Sequence, residues 1–165
     1  MPEDMIELKD KNVEKRAEFN TAMKEAMKAK DEIALSTIRL IIAALKDRDI
    51  NARGQGNSEG ISESEILSML QSMIKQREES AKTYTDANRQ DLADRELAEI
   101  GIIRRFLPKQ MDETEVKAAI DQVLAEMNVT DIREMGKVMA TIKDRYAGQM
   151  DMGKVSGMVK QRLAG

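Results

Sequence analysis

Ser62-Glu63-Ser64-Glu65-Ile66-Leu67-Ser68-Met69-Leu70-Gln71-Ser72-Met73-Ile74 carries both the start signal and the apolar face of a helix. Ser62 followed three residues later by Glu65 is a capping box: each side chain satisfies a backbone N–H that the first helical turn leaves free. Apolar residues then stand at Ile66, Met69, Leu70, Met73 and Ile74, and the pattern continues through Arg77, Ala81 and Tyr84. That spacing holds a 3.6-residue period for about six turns, where a strand would alternate. Asn88 suits the end of this helix, because asparagine tolerates the left-handed conformation.

The same grammar extends outward. Upstream, Gly54, Gly56 and Gly60 interrupt any helix and mark a loop. Before it, Asp31 is placed to cap a helix whose stripe of Ala34, Leu35, Ile38, Ile41, Ile42 and Leu45 is wide enough for burial on more than one side. A first helix is expected from about Val13 to Ala29, with Phe19, Met23, Ala26 and Met27 on one face. Residues 1–10, with Pro2 and mixed charges, read as a frayed leader. Downstream, a fourth helix carries Leu92, Leu97, Ile100, Ile103 and Phe106 and stops at Pro108, since the residue before proline is driven out of helical geometry.

After Pro108 three shorter helices are expected. Asp112 with Glu115 opens one that holds Val116, Ala119, Ile120, Val123, Leu124 and Met127. Asp131 with Glu134 repeats the signature ahead of Val138, Met139, Ile142 and Tyr146. Asp151 caps the last, with Met152, Val155, Met158, Val159 and Leu163. Such short helices must pack on one another to persist. The expected fold is all-α: an N-terminal helical domain of about four helices over residues 1–108, and a small C-terminal three-helix bundle over 109–165.

Composition limits the chemistry. The 165 residues include no Cys, no His and no Trp. No disulfide, cysteine nucleophile, Cys-based zinc site, catalytic triad or histidine base is available. No phosphate-binding glycine loop of a known nucleotide site occurs, and Gly54-Gln55-Gly56 has no strand before it. Carboxylates gather at Glu78-Glu79 and across Asp91, Asp94, Glu96 and Glu99. Interleaved lysine and arginine make these read as solvated helix faces rather than a magnesium site. Lys75, Arg77 and Tyr84 lie on or beside the third helix's apolar face, either in a groove or as stems laid over the core. No catalytic, cofactor-binding or metal-binding residue is assigned. No apolar run is long enough to cross a membrane and residues 1–30 are charged throughout, so a cytoplasmic protein is expected.

Two features point to a partner. Met135-Gly136-Lys137-Val138 recurs as Met152-Gly153-Lys154-Val155, seventeen residues on. Each glycine either allows a close helix crossing or lets a phosphate approach a helix N-terminus beside a lysine; spacing alone favours packing. The net charge of −3 is also uneven. Residues 131–165 hold seven bases (Arg133, Lys137, Lys143, Arg145, Lys154, Lys160, Arg162) against four acids, a local +3 that leaves −6 on residues 1–130. A basic segment of this kind suits a phosphate backbone, and Tyr146, its one aromatic, leaves little for base stacking.

Several stretches in order resemble the GatB/YqeY family in its stand-alone YqeY-like form, over nearly the full length. They are Leu35–Arg39 (LSTIR), Lys75-Gln76-Arg77, Arg89-Gln90-Asp91-Leu92, Phe106–Met111 (FLPKQM), Met135–Met139 (MGKVM) and Gly153–Val159. Asn88 departs from the glycine expected before Arg89. The resemblance implies an all-helical protein in two domains. Its C-terminal part is similar to the tail of the B subunit of the tRNA-dependent amidotransferase, which contacts tRNA while catalysis sits elsewhere.

The resemblance and the basic segment together make a non-catalytic RNA-binding accessory module the first expectation, with tRNA or another structured RNA as partner. Arg133, Lys137, Lys143, Arg145, Lys154, Lys160 and Arg162 would meet phosphates, with Gly136 and Gly153 allowing close approach. The alternative is a helical adaptor that binds amidotransferase or translation components through methionine-containing surfaces. A third reading follows the family label of carbon–nitrogen ligase with glutamine as amido donor, for which the chain shows no catalytic part.

Overall fold

The computed structural model describes residues 3–164, with side chains from residue 15 onward. Among these residues it contains seven α-helices and no strand, so the fold is all-α. The chain divides into two compact units, Met1–Phe106 and Leu107–Gly165.

The first unit comprises α1 (Glu3–Ala29), α2 (Glu32–Gly54), α3 (Glu63–Asp86) and α4 (Gln90–Arg104). The capping rules operate where the sequence places them. Asp31 accepts from the Ala34 N–H at 3.1 Å, and Ser62 with Glu65 forms the full box. Asn88 takes the left-handed conformation at φ 59° and turns the chain from α3 into α4. One boundary differs. Helix α1 begins at Glu3 rather than near Val13, because the segment from Glu3 to Glu14 is composed largely of strong helix formers and its mixed charges break nothing. Residues 1 and 2 of the expected leader lie outside the described residues.

Helices α3 and α4 pair closely, as do α1 and α2, and α2 also packs on α4. Phe19, Ile41, Ile66, Met69, Leu70 and Ile103 are fully buried between them. Phe19 meets Phe106 edge-on, with ring centroids 5.0 Å apart. That geometry sets a positive ring edge against a negative face. Leu97, read as a core position of α4, is 52% exposed, because α4 turns Ala93, Ile100 and Ile103 inward instead. Helix α4 closes at Arg104, ahead of Pro108.

Polar groups also knit this unit. Arg16 on α1 donates to both carboxylate oxygens of Asp49 on α2, at 2.7 and 3.2 Å, and to the Ile61 carbonyl at 3.1 Å. Asp49 in turn accepts from the Ile61 N–H at 2.9 Å. Gly60 makes this closure possible. Its φ is +84°, and a Cβ there would fall 2.3 Å from Asp49 Oδ1. Burial pushes the Asp49 carboxyl up, but Arg16, the Ile61 N–H and the charge of Arg53 outweigh it and hold the group below the usual carboxylate range. Across α3 and α4, Arg77 donates to Glu99 at 3.0 Å and to the Met73 carbonyl at 3.1 Å, with both side chains largely covered. This pair absorbs the one arginine that interrupts the apolar face of α3.

The second unit comprises α5 (Glu113–Met127), a 3₁₀ turn (Ile132–Glu134), α6 (Met135–Arg145) and α7 (Met152–Ala164). Asp112 and Glu115 form a complete capping box, and α5 ends on left-handed Asn128. Asp131 and Glu134 do not form a box. Asp131 accepts from the Arg133 N–H and so opens the 3₁₀ turn, while Glu134 caps α6 without a side-chain bond. The core is small and mostly β-branched, with Ile120, Val123, Val138, Ile142, Val155 and Val159 at its centre. Six methionines (Met111, Met127, Met135, Met139, Met152 and Met158) pack around it, partly buried.

Candidate functional site

The expected site residues all fall in the second unit, and the structure sorts them into two classes. Every arginine is engaged. Arg133 pairs with Asp131 at 2.7 Å, Arg145 with Glu126 at 2.6 Å, and Arg162 with Asp121. Glu126 and Asp121 both belong to α5, so two of these pairs tie α6 and α7 to it. The carboxylates respond: the Arg145 hydrogen bond, with help from Gln122, holds Glu126 below the usual range, and Arg133 does the same for Asp131. By contrast Lys137, Lys143, Lys154 and Lys160 are exposed and make no ion pair among the described residues.

The charge reading therefore needs correction. The +3 on residues 131–165 stands as arithmetic, but those residues fold together with α5. The compact unit of residues 107–165 contains nine basic and nine acidic residues and is neutral, so the −3 resides entirely in residues 1–106. Positive potential in the second unit is local to its exposed, unpaired lysines (Lys109, Lys137, Lys143, Lys154 and Lys160) and does not come from its net charge.

The glycines also differ from the favoured reading. A Cβ on Gly136 would have nothing within 4 Å, and one on Gly153 would meet only the Asp151 carboxylate at 3.2 Å. Neither glycine sits at a helix crossing, so packing does not explain them. Neither is an open helix N-terminus. The Gly153 N–H already donates to Asp151 at 2.9 Å, and the 3₁₀ turn leads directly into Gly136.

With the helices in place, the short echo proves to be part of a longer repeat. Residues 135–146 (MGKVMATIKDRY) and 152–163 (MGKVSGMVKQRL) match at six of twelve positions. Val138 and Ile142 are buried on α6, as Val155 and Val159 are at the same positions of α7. Arg145 and Arg162 are equivalent too, and each reaches an acid of α5. The sequence signal lay in the recurrence of Lys and Arg eight and ten residues after each Met, beyond the four-residue match.

Residues 16–163 match the family described as Yqey-like protein. The chain belongs to this family. Among curated proteins, this YqeY-like chain is similar to "altered inheritance of mitochondria protein 41, mitochondrial" of Lachancea thermotolerans, at 31% identity over 89% of the chain and 78% of the relative. The protein of the same name from Clavispora lusitaniae is 33% identical over 76% of the chain and 72% of the relative. Both relatives are named as mitochondrial, so a cytoplasmic location is narrower than these comparisons support. No helix among the described residues is long and apolar enough to cross a membrane.

Several of the motif residues of the YqeY-like chain have structural duties. Thr37 is fully buried and donates to the Ile33 carbonyl at 2.7 Å. Arg77 is the partner of Glu99, and Arg89 chelates Asp91 across the start of α4. Gln110 of the FLPKQM segment donates to the carbonyls of Gly148 and Pro108, at 2.6 and 3.1 Å. The Met111 N–H donates to Gln149, which ties this segment to the α6–α7 turn. Of the carboxylates considered for a metal, Glu78 meets Arg104, Glu99 meets Arg77 and Asp94 meets Gln90.

Proposed function

We propose that this YqeY-like chain is a non-catalytic RNA-binding accessory module, with tRNA as the first ligand to test. The observation that carries the reading is the contrast within the second unit: its arginines are consumed by acids, while Lys137, Lys143, Lys154 and Lys160 project into solvent without partners. Free ammonium groups on two neighbouring helices suit phosphates along a backbone. Tyr146 packs against the core of the unit, so a stacking platform for single-stranded bases is missing from this surface. A folded RNA, recognised by its backbone and shape, fits better. The similarity of the C-terminal part to the amidotransferase tail points the same way.

The test is a binding titration with tRNA at two salt concentrations, on the intact chain and on Lys137→Glu, Lys143→Glu and Lys154→Glu combined. Affinity should fall steeply with salt and should be lost on charge reversal. Salt-independent binding, or binding that survives the reversals, would refute the proposal.

The adaptor reading draws on a different observation. The methionines offer it little support, since most of those described are buried or packed on a core. Helix α2, however, presents Ile33, Leu40 and Ile50 outward, at 40%, 49% and 65% exposure. A stable protein partner recovered after nuclease treatment, and lost on Leu40→Glu, would favour the adaptor over RNA binding.

A further inference from the structure

We infer that α6 and α7 are two copies of one phosphate-gripping helix, of which α7 is the stronger, and that the arginines of the repeat only seat the helices on α5. The inference rests on the RNA-binding reading and specifies how that site is built.

The two helices share one register. Lys137 and Lys143 occupy the same positions on α6 as Lys154 and Lys160 occupy on α7, measured from the buried valines Val138 and Val155. Within each helix the two lysines are six residues apart, so their Cα atoms lie about 9 Å apart along the axis and about 120° apart around it. The sector between them holds Gly136 and Ala140 on α6, and Gly153 and Gly157 on α7, all exposed. These are the smallest side chains available, so in each copy two ammonium groups flank a strip of helix surface that stays low until Asp144 on α6 or Gln161 on α7. A Cβ added at Gly136 or Gly157 would touch nothing, so the strip is open to solvent.

The copies differ at one charged position in that sector. Asp144 on α6 stands where α7 has Gln161. Asp144 is exposed and makes no ion pair among the described residues. Its negative charge opposes an approaching phosphate, whereas Gln161 is neutral and can donate a hydrogen bond. The α7 copy should therefore contribute more to binding.

The arginines are the internal control. Arg145 and Arg162 carry the same charge as the lysines and recur with the same spacing, but each is held by an α5 carboxylate. Such a pair releases few counterions when RNA binds, so it adds little to the salt dependence.

The experiment measures tRNA affinity against salt concentration for four variants whose helicity is verified by circular dichroism. Lys154→Gln with Lys160→Gln should lower the slope of log affinity against log salt by about 2, one for each phosphate contact removed. Lys137→Gln with Lys143→Gln should lower it by less. Asp144→Asn should raise affinity a few-fold. Arg145→Gln with Glu126→Gln, a charge-neutral change, should leave the slope as it was. Failure of the unaltered chain to bind tRNA overturns the RNA reading itself. Binding in which one lysine pair is inert, Asp144→Asn has no effect, or the arginine variant lowers the slope as the lysine variants do overturns the two-copy grip and leaves the RNA reading standing.

Discussion

The two units of this chain spend their charges in different ways. In Met1–Phe106, two ion pairs work inside the structure, while others such as Arg89–Asp91 and Arg104–Glu78 lie at its surface. Arg16 and Asp49 clasp α1 and α2 around the Ile61 backbone, and Arg77 and Glu99 join α3 to α4 beneath a largely covered surface. In Leu107–Gly165 the interior is apolar, and the ion pairs lie on the outside. A unit with aromatic residues and long helices can bury polar clasps and still hold together. A unit of some sixty residues, with a core of valine and isoleucine, keeps its interior free of charge and leaves several lysines exposed.

That contrast is open to direct attack, beginning with the largest effect. Ile142→Ala removes a fully buried side chain from the smaller core and should cost about 3 kcal/mol, measured as a shift in the denaturation midpoint of the second unit. Next comes the first unit's clasp. Asp49→Ala strands Arg16 and the Ile61 N–H and should cost about 2 kcal/mol, with Gly60→Ala close behind because its Cβ collides with the Asp49 carboxylate. If either loss proved negligible, the clasp would be ornamental and the contrast would collapse.

Acid should act on the same clasp. The folded-state pKa of Asp49 is depressed, so its contribution is complete above the unfolded carboxylate value of about 3.9 and is lost as pH falls through the lower folded value. Stability measured from pH 5 downward should therefore drop more in the native chain than in Asp49→Asn, where the group no longer titrates. Equal drops would show that Asp49 does not carry this dependence.

The smallest effect has the opposite sign. Gly136→Ala should stabilise α6 by about 0.5 to 1 kcal/mol, since alanine is the better helix former and the added methyl meets open space. The same substitution at Gly60 destabilises, so the two alanine variants separate a glycine the fold requires from one it does not. If Gly136→Ala also weakened tRNA binding while raising stability, the retention of glycine there would be explained by the ligand.

Local rules made much of this fold legible. The caps at Asp31, Ser62 and Asp112, and the turn at Asn88, depend on two or three neighbouring residues and can be read directly from the chain. What escaped depends on distance. Arg16, Asp49 and Ile61 are separated by up to 45 residues and make sense only together. The charge balance failed for the same reason: a window starting at residue 131 left out Glu126 and Asp121, the acids that engage Arg145 and Arg162. Leu97 shows the limit of periodicity, since α4 is short and rich in apolar residues and several faces fit the pattern almost equally. The repeat was visible as four letters, and its full length emerged once buried valines and paired arginines were seen at matching positions.

The ring of six methionines around the second unit has a chemical consequence. These thioethers sit at the boundary between core and water, where an oxidant can reach sulfur without first unfolding the chain. Conversion to the sulfoxide would place a polar, branched group against valine and isoleucine and loosen the helices that carry the free lysines. The first unit keeps Met69 and Met73 within its interior, and its exposed Met27 stands off the core, where oxidation disturbs no packing. Peroxide damage should thus loosen the packing of the second unit before that of the first.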